Sequence, residues 1–276
     1  IDSLNKSIIT GHYGEIFKAK DSAIITRRAM AINIVDQDSL FIHSDTLVAT
    51  GPKDKRILRG YYDVRILKSD IRGRSDSLYL DQSIGLTKLL SRPLTNQQEQ
   101  IFTEADRNGA NPVLWFGESQ MSGDKIFLLS DLVTRKLDSL KITGNIFIIE
   151  KDTLSEDGYQ QIKGGILNGA FKEGRLDNIV ITKNTEMVYY LYNDEDLQLI
   201  GIDKTTCSAL QMNFTDGQIE NIPFLVSPNG EVYPEEELPP NDRTLKGFIW
   251  RISERPETIE DLFDELVTSP NVFHYR

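Results

Sequence analysis

The chain is a succession of short apolar runs, each closed off by Gly, Asn, Asp or Ser. Early runs include Leu40-Phe41-Ile42, Val64-Arg65-Ile66-Leu67 and Leu78-Tyr79-Leu80. Later ones include Ile126-Phe127-Leu128-Leu129, Ile146-Phe147-Ile148-Ile149, Asn178-Ile179-Val180-Ile181, Val188-Tyr189-Tyr190-Leu191-Tyr192 and Leu210-Gln211-Met212-Asn213-Phe214. Runs of this length with turn chemistry between them predict a long series of antiparallel strands. Helical patterns do not alternate with them, which excludes a doubly wound nucleotide-binding sheet. Residue usage agrees: 30 Ile, 12 Phe and 10 Tyr suit pleated surfaces, whereas Ala, the best helix former, occurs only 9 times in 276 residues.

A drifted repeat runs through these strands. Asp-Ser-Leu recurs at Asp2, Asp38, Asp76 and Asp138. A small residue, an Asp, any residue and an apolar residue recur as Ser44-Asp45-Thr46-Leu47, Ser75-Asp76-Ser77-Leu78 and Gly123-Asp124-Lys125-Ile126. The small residue and the Asp turn the backbone, and the apolar residue after them points inward, so each copy reads as a rung with a bend. Two stretches depart from this texture. Thr95-Asn96-Gln97-Gln98 matches a capping box and predicts a short helix over 95–107, inside a longer insertion over 85–110. Pro256 starts a run in which Ile259, Leu262, Phe263 and Leu266 fall at helical spacing, predicting a second short helix over 256–266. Glu231 to Pro240 reads as an acidic, Pro-rich solvated connector.

Several function classes drop out. The net charge of −11 argues against a nucleic-acid partner. No apolar stretch is long enough to span a membrane as a helix. Cys207 is the single cysteine, and His12, His43 and His274 stand in no ligand spacing, so neither a metal nor another cofactor is expected. Nucleophile elbows, Walker loops and His-Glu-x-x-His motifs are absent, so there is no catalytic residue to nominate and the expectation is a non-enzyme. The glycines of Gly164-Gly165-Ile166-Leu167-Asn168-Gly169 serve bends, because no helix pattern follows them. Ile1 is not Met and the chain opens within a motif, so a leader sequence is expected to have been removed or to lie outside it.

At the level of motifs the chain resembles a family. Asp38-Ser39-Leu40-Phe41-Ile42-His43-Ser44-Asp45-Thr46-Leu47 is similar to the signature of OstA-like proteins of the Bacteroidetes, distant relatives of the lipopolysaccharide-transport protein LptA. The pattern recurs from Val64 to Leu78 and from Asn111 to Asp124. Tyr159-Gln160-Gln161-Ile162-Lys163-Gly164 and Leu245-Lys246-Gly247-Phe248-Ile249-Trp250, with Arg255-Pro256, extend it toward the end of the chain. The resemblance implies an all-β fold, a curled β-jellyroll (β-taco) of sequential antiparallel strands. It also implies OstA-like rungs over 1–150, further rungs with a C-terminal loop and helix over 151–276, and a periplasmic location. The expected partners are lipopolysaccharide or another acyl lipid, and similar envelope proteins joined by end-to-end strand pairing.

Strand alternation nominates one set of inward residues as lipid-groove candidates: Leu40, Ile42, Leu47, Ile66, Leu78, Leu80, Val113, Trp115, Ile126, Leu128, Ile146 and Ile148. Basic side chains such as Arg27, Arg28, Arg65, Arg72 and Arg74 would have to gather at the groove mouth to offset the acidic balance toward anionic lipid. Two readings follow. In the first, the chain binds lipid acyl chains and bridges the periplasm in lipopolysaccharide transport. In the second, its interior is filled by side chains and it is a scaffold that docks envelope partners by edge-strand pairing.

Overall fold

The computed structural model describes residues 7–35, 38–52, 55–92, 109–215 and 218–264. These form one antiparallel sheet of 17 strands. β1 (Ser7–Thr10) and β2 (Tyr13–Phe17) lie end to end along β3 (Ser22–Val35). β4 (Asp38–Thr50), β5 (Ile57–Leu67) and β6 (Arg72–Asp81) follow in turn. The next two rungs are each built from two pieces. β7 (Leu86–Leu90) and β8 (Val113–Phe116) pair with the two halves of β6. β9 (Ser119–Ser122) and β10 (Lys125–Ser130) pair with β8 and β7 on one side and with β11 (Leu137–Lys151) on the other. β12 (Tyr159–Lys172), β13 (Arg175–Tyr192) and β14 (Leu199–Thr215) continue the sheet. The last rung is β15 (Gln218–Asn221), β16 (Phe224–Val226) and β17 (Asn229–Tyr233), all on β14.

The long strands bend at one level. β3, β5, β11 and β13 each insert two residues with positive φ: Arg27 and Arg28, Tyr62 and Asp63, Gly144 and Asn145, Lys183 and Asn184. L-residues tolerate this conformation poorly, Asn and Asp best, and three of the four second positions are Asn or Asp. The facing strands contribute a small residue at or beside the bend: Ser44, Ser75, Gly164 and Ser208. Ser44 Oγ donates across the bend to the Thr46 carbonyl at 2.8 Å, and Ser75 Oγ repeats the contact to Ser77 at 3.0 Å. The repeat signature of the sequence therefore marks this corner, with Gly123-Asp124 at the same level between β9 and β10. There Asp124 accepts from Asn145 Nδ2 at 2.9 Å and packs so tightly on Gly144 that a Cβ at that residue would fall 2.1 Å from its carboxylate. Bulges of this kind bend the strands that carry them, and a row of them folds the sheet over into two layers.

Between the layers lies one apolar core in register from rung to rung. One row runs Ala31, Ile42, Ile66, Gly73, Leu114, Met121, Ile148, Ile162, Met187. On the other layer a row runs Ile25, Leu47, Gly60, Leu78, Leu89, Ile126, Ile142, Leu167, Ile181, Leu210.

The C-terminal segment returns across the outside of the first layer as a strap. Leu238 is buried against Val188, Tyr190 and Ile202. Phe248 meets Phe147 and Tyr159 edge to face. Two buried glutamines hold the strap backbone. Gln161 donates to the Arg243 carbonyl (2.9 Å) and accepts from the Leu245 N–H (2.9 Å). Gln120 donates to Ile249 (2.8 Å) and accepts from Arg251 (2.7 Å). Each side-chain amide thus acts as a one-residue strand partner. Farther along, Arg72 and Arg65 donate to the carbonyls of Pro256 and Asp261. An ion-pair chain joins Arg65, Asp63, Arg74, Glu254 and Arg251. Burial disfavours ionisation of Glu254, but Arg251 and Arg74 outweigh it and hold its carboxyl below the usual range.

Four expectations bear on these elements. Val113 and Trp115 face the strap, not the interior; Leu114 between them is the inward residue of β8. Within 256–264 the expected short helix is a 3-10 turn at Glu260–Phe263, where Asp261 accepts from the Glu257 and Thr258 amides. Leu86–Leu90, at the start of the insertion expected over 85–110, is a regular strand; the helix expected over 95–107 lies outside the described residues. Of the acidic stretch Glu231 to Pro240, the first three residues end edge strand β17, and the rest is an exposed connector to the strap apart from the buried Leu238.

Two predictions follow from the strap. Gln161→Ala leaves the Arg243 carbonyl and Leu245 amide without their partner, at a cost of about 1–3 kcal/mol. Amide exchange at Leu245 should quicken well before exchange in β11 to β13; equal protection in variant and parent would refute the clamp. His43 is buried under the strap, donates from Nδ1 to the Ala29 carbonyl at 2.7 Å and meets Phe263 edge-on. Burial pushes its pKa below the ordinary 6.5. Below about pH 6.5 the unfolded chain therefore takes up a proton that the folded chain refuses, and stability falls as pH drops. Urea midpoints at pH 7.5 and 5.5 should differ in the parent and converge in His43→Gln, since most carboxylates titrate below that window.

Candidate functional site

The core is not uniformly packed. Leu47, Leu89, Ile126, Ile142, Ile146, Leu167, Ile179, Ile181 and Leu210 have no accessible surface. Such residues border no space wide enough for a water molecule, and the middle of the fold is sealed. Toward the first rungs the inward side chains shrink. Ala23 and Ala31 of β3 and Ala49 of β4 stand where later rungs carry Ile or Leu, and Gly14 takes the inward position on β2. The space they leave is a cavity of about 450 Å³, walled further by Ile9, Ile25, Ile42, Leu58 and Leu80.

The rims of this cavity are polar. Along each strand the bend is the closed end and the strand terminus the open lip. Asn33, hydrogen-bonded to Ser7 Oγ at 2.6 Å, sits on one lip. Arg56 and Gln82 sit on the other, joined by the Gln82 amide donating to the Arg56 carbonyl at 3.1 Å. Arg56 Nε is buried and has no hydrogen-bond partner among the described residues. Glu15, the other charged residue at the cavity, accepts a hydrogen bond from the Tyr13 hydroxyl.

The cavity lies beside an unpaired edge. Among the described residues β1 and β2 pair only with β3, and Ile16 is 76% exposed, with Tyr13 and Phe17 beside it. The opposite edge, β15 to β17, pairs only with β14 among the described residues and exposes Leu225, Val226 and Val232. The two ends differ in charge. Lys18, Lys20, Arg27 and Arg28 outnumber Glu15 and Asp21 at the first, while Glu220, Glu231 and Glu235–Glu237 stand at the second.

Of the groove candidates, Ile42 and Leu80 border the cavity. Leu47, Ile66, Leu78, Ile126, Leu128, Ile146 and Ile148 belong to the packed core, and Leu40 packs against it half-buried. Val113 and Trp115 lie under the strap. Sequence reading missed Ala23, Ala31, Ala49, Leu58 and Arg56, although a cluster of small residues at inward positions was a readable signal. Arg65, Arg72 and Arg74 bind the strap and so do not gather at the cavity mouth; Arg28 stacks on Phe263, 4.1 Å from its ring centre. Among the described residues no three His, Cys, Asp or Glu converge as metal ligands, and no helix is long and apolar enough to cross a membrane.

No protein-family model and no curated protein matches the sequence. Among solved structures the chain is similar to LptH of Pseudomonas aeruginosa, described as the LptA-homologous periplasmic component of the lipopolysaccharide transport device. Identity is 12% and the TM-score 0.38, over 59% of this chain and 95% of that one. Superposition this loose assigns no residue and no activity, which leaves both to the local geometry.

Cavity and core should respond oppositely to added volume. Ala49→Leu fills empty apolar space and should stabilise by roughly 1 kcal/mol. Gly73→Ala places a Cβ 2.9 Å from Leu114 Cδ2 and should destabilise by about 1–3 kcal/mol. Urea midpoints moving the same way in both variants would contradict the cavity.

Proposed function

We propose that the chain is a non-enzymatic lipid-binding protein of the cell envelope. It holds acyl chains, those of lipopolysaccharide in the reading drawn from the OstA-like resemblance, and helps bridge the periplasm toward the outer membrane. The observation that carries this reading is an apolar cavity opening beside an unpaired edge strand. An acyl chain entering it removes apolar surface from water at roughly 0.8 kcal/mol per methylene. Open edges are an aggregation hazard unless a partner strand covers them. Here the basic first edge and the acidic last edge are complementary, so a second copy or a similar envelope fold can add on end to end. In this reading Ile42 and Leu80 touch lipid directly, and the sealed candidates form the floor beneath it.

The sealed middle of the core favours a second reading, in which the chain is a scaffold that docks partners by its edges and carries no lipid. Photo-crosslinking in cells separates the two. A crosslinker at Ala49 should capture lipid, and one at Ile126 should not. A crosslinker at Phe17, an exposed edge residue that does not line the cavity, should capture an envelope protein, and Phe17→Lys should reduce end-to-end complexes. Protein adducts at Phe17 without lipid at Ala49 would establish the scaffold and overturn lipid binding.

A further inference from the structure

Taking the end cavity as the lipid site, we propose that its ligand is a single-chain anionic amphiphile, seated tail-inward with its carboxylate or phosphate head on Arg56. Capacity is the first ground. At about 450 Å³ the space lies toward the lower end of small-ligand pockets, which run from roughly 300 to 1,000 Å³. It does not continue past the sealed residues Leu47 and Leu89 into a trough for several chains side by side. From Ser7 at the lip to Gly11 near the bend, all lining the cavity, is four residues, about 13 Å at strand rise, the reach of a medium-length acyl chain.

Polarity is the second ground. Alternation puts apolar side chains of both layers along the walls, with Gly11 and Gly14 near the closed end. Polar groups collect at the lips, where a head group would sit. Arg56 supplies a positive charge, and its buried Nε–H lacks an acceptor among the described residues. A buried donor in that state calls for an acceptor, and a guanidinium pairs best with a two-oxygen anion. Glu15, the nearby carboxylate, is on the opposite strand parity from Gly14 and Ile16 and is engaged by Tyr13. Gln82 and Asn33 flank the head position as neutral amides.

The test uses the full chain stripped of lipid, titrated with dodecanoate, a lysophosphatidic acid, dodecanol and hexa-acylated lipid A, with stoichiometry from native mass spectrometry. Either anionic single-chain probe should bind one to one, at least tenfold more tightly than dodecanol. Arg56→Gln should erase that preference by weakening only the anions. Ala49→Phe should abolish binding of all single-chain probes while circular dichroism stays that of the parent. Dodecanol binding as tightly as the anions, or binding indifferent to both variants, overturns the proposal. Binding of lipid A that depends on Ala49, without binding of single chains, also overturns it but leaves the lipid-site reading standing. If no probe binds, both fail.

Discussion

The fold depends on a pair of residues forced into left-handed backbone at the same level of alternate strands. A sheet of this many strands with an apolar face has to hide that face, and here it does so by folding each strand back over itself. Each bend costs conformational energy wherever the residue is not Gly. It is offset locally by Asn or Asp at the second position and by Ser hydroxyls reaching across the bend, as at Ser44 and Ser75. Repetition makes the corner cooperative: each bend is in register with its neighbours, so one unbent strand would push its inward residues out of line with those on either side.

Folding over solves only one face. The second layer shows solvent an outer row of Val48, Arg59, Tyr79, Lys88, Phe127, Lys141, Asn168, Val180 and Gln211, in which Arg59 and Lys88 lie over the Tyr79 ring. The first layer instead presents Trp115, Phe147, Ile149, Val188, Tyr190 and Ile202 outward, which water would penalise. The strap covers this patch. Having no continuous strand partner, its backbone takes hydrogen bonds from side chains: two Gln amides, Arg65, Arg72 and Lys204. Buried Gln and Arg on a sheet face are therefore the counterpart of a segment that crosses strands rather than joining them.

This arrangement explains what could and could not be read in advance. The strands were legible because their runs are short and their turns chemically marked, and the corner because Ser-Asp recurs at it. Trp115 was misplaced because Val113, Leu114 and Trp115 are all apolar, and alternation carries no parity when both faces are buried. The continuous run Ile146-Phe147-Ile148-Ile149, buried throughout, carries the same signature of two-sided cover. The strap was read as connector and helix because its bonds are made by backbone, and backbone bonding to distant Gln or Arg leaves no local pattern. His43 and Arg65 likewise gave no sign of burial, since the strap residues that cover them lie some two hundred residues away.

The cavity follows from a gradient of side-chain size rather than from any special motif. Inward positions of β2 to β4 include Gly14, Ala23, Ala31 and Ala49, whereas those from β7 to β11 are mostly Ile or Leu, so the two layers close on each other in the centre and stand apart at one end. Since interiors pack close to the density of crystals, a methyl in place of a butyl group leaves space that its neighbours cannot fully reclaim. Over the described residues the strap does not remedy this, because it runs along the outer face and its turn at Asp261–Phe263 lies on β4 and β5 near the corner. The unfilled end is also the end with an unpaired strand and a surplus of basic side chains, whereas the acidic end closes over Phe224 and Met212. Space, edge and charge thus converge at one end of the molecule, and that convergence sets it apart from the packed core behind it.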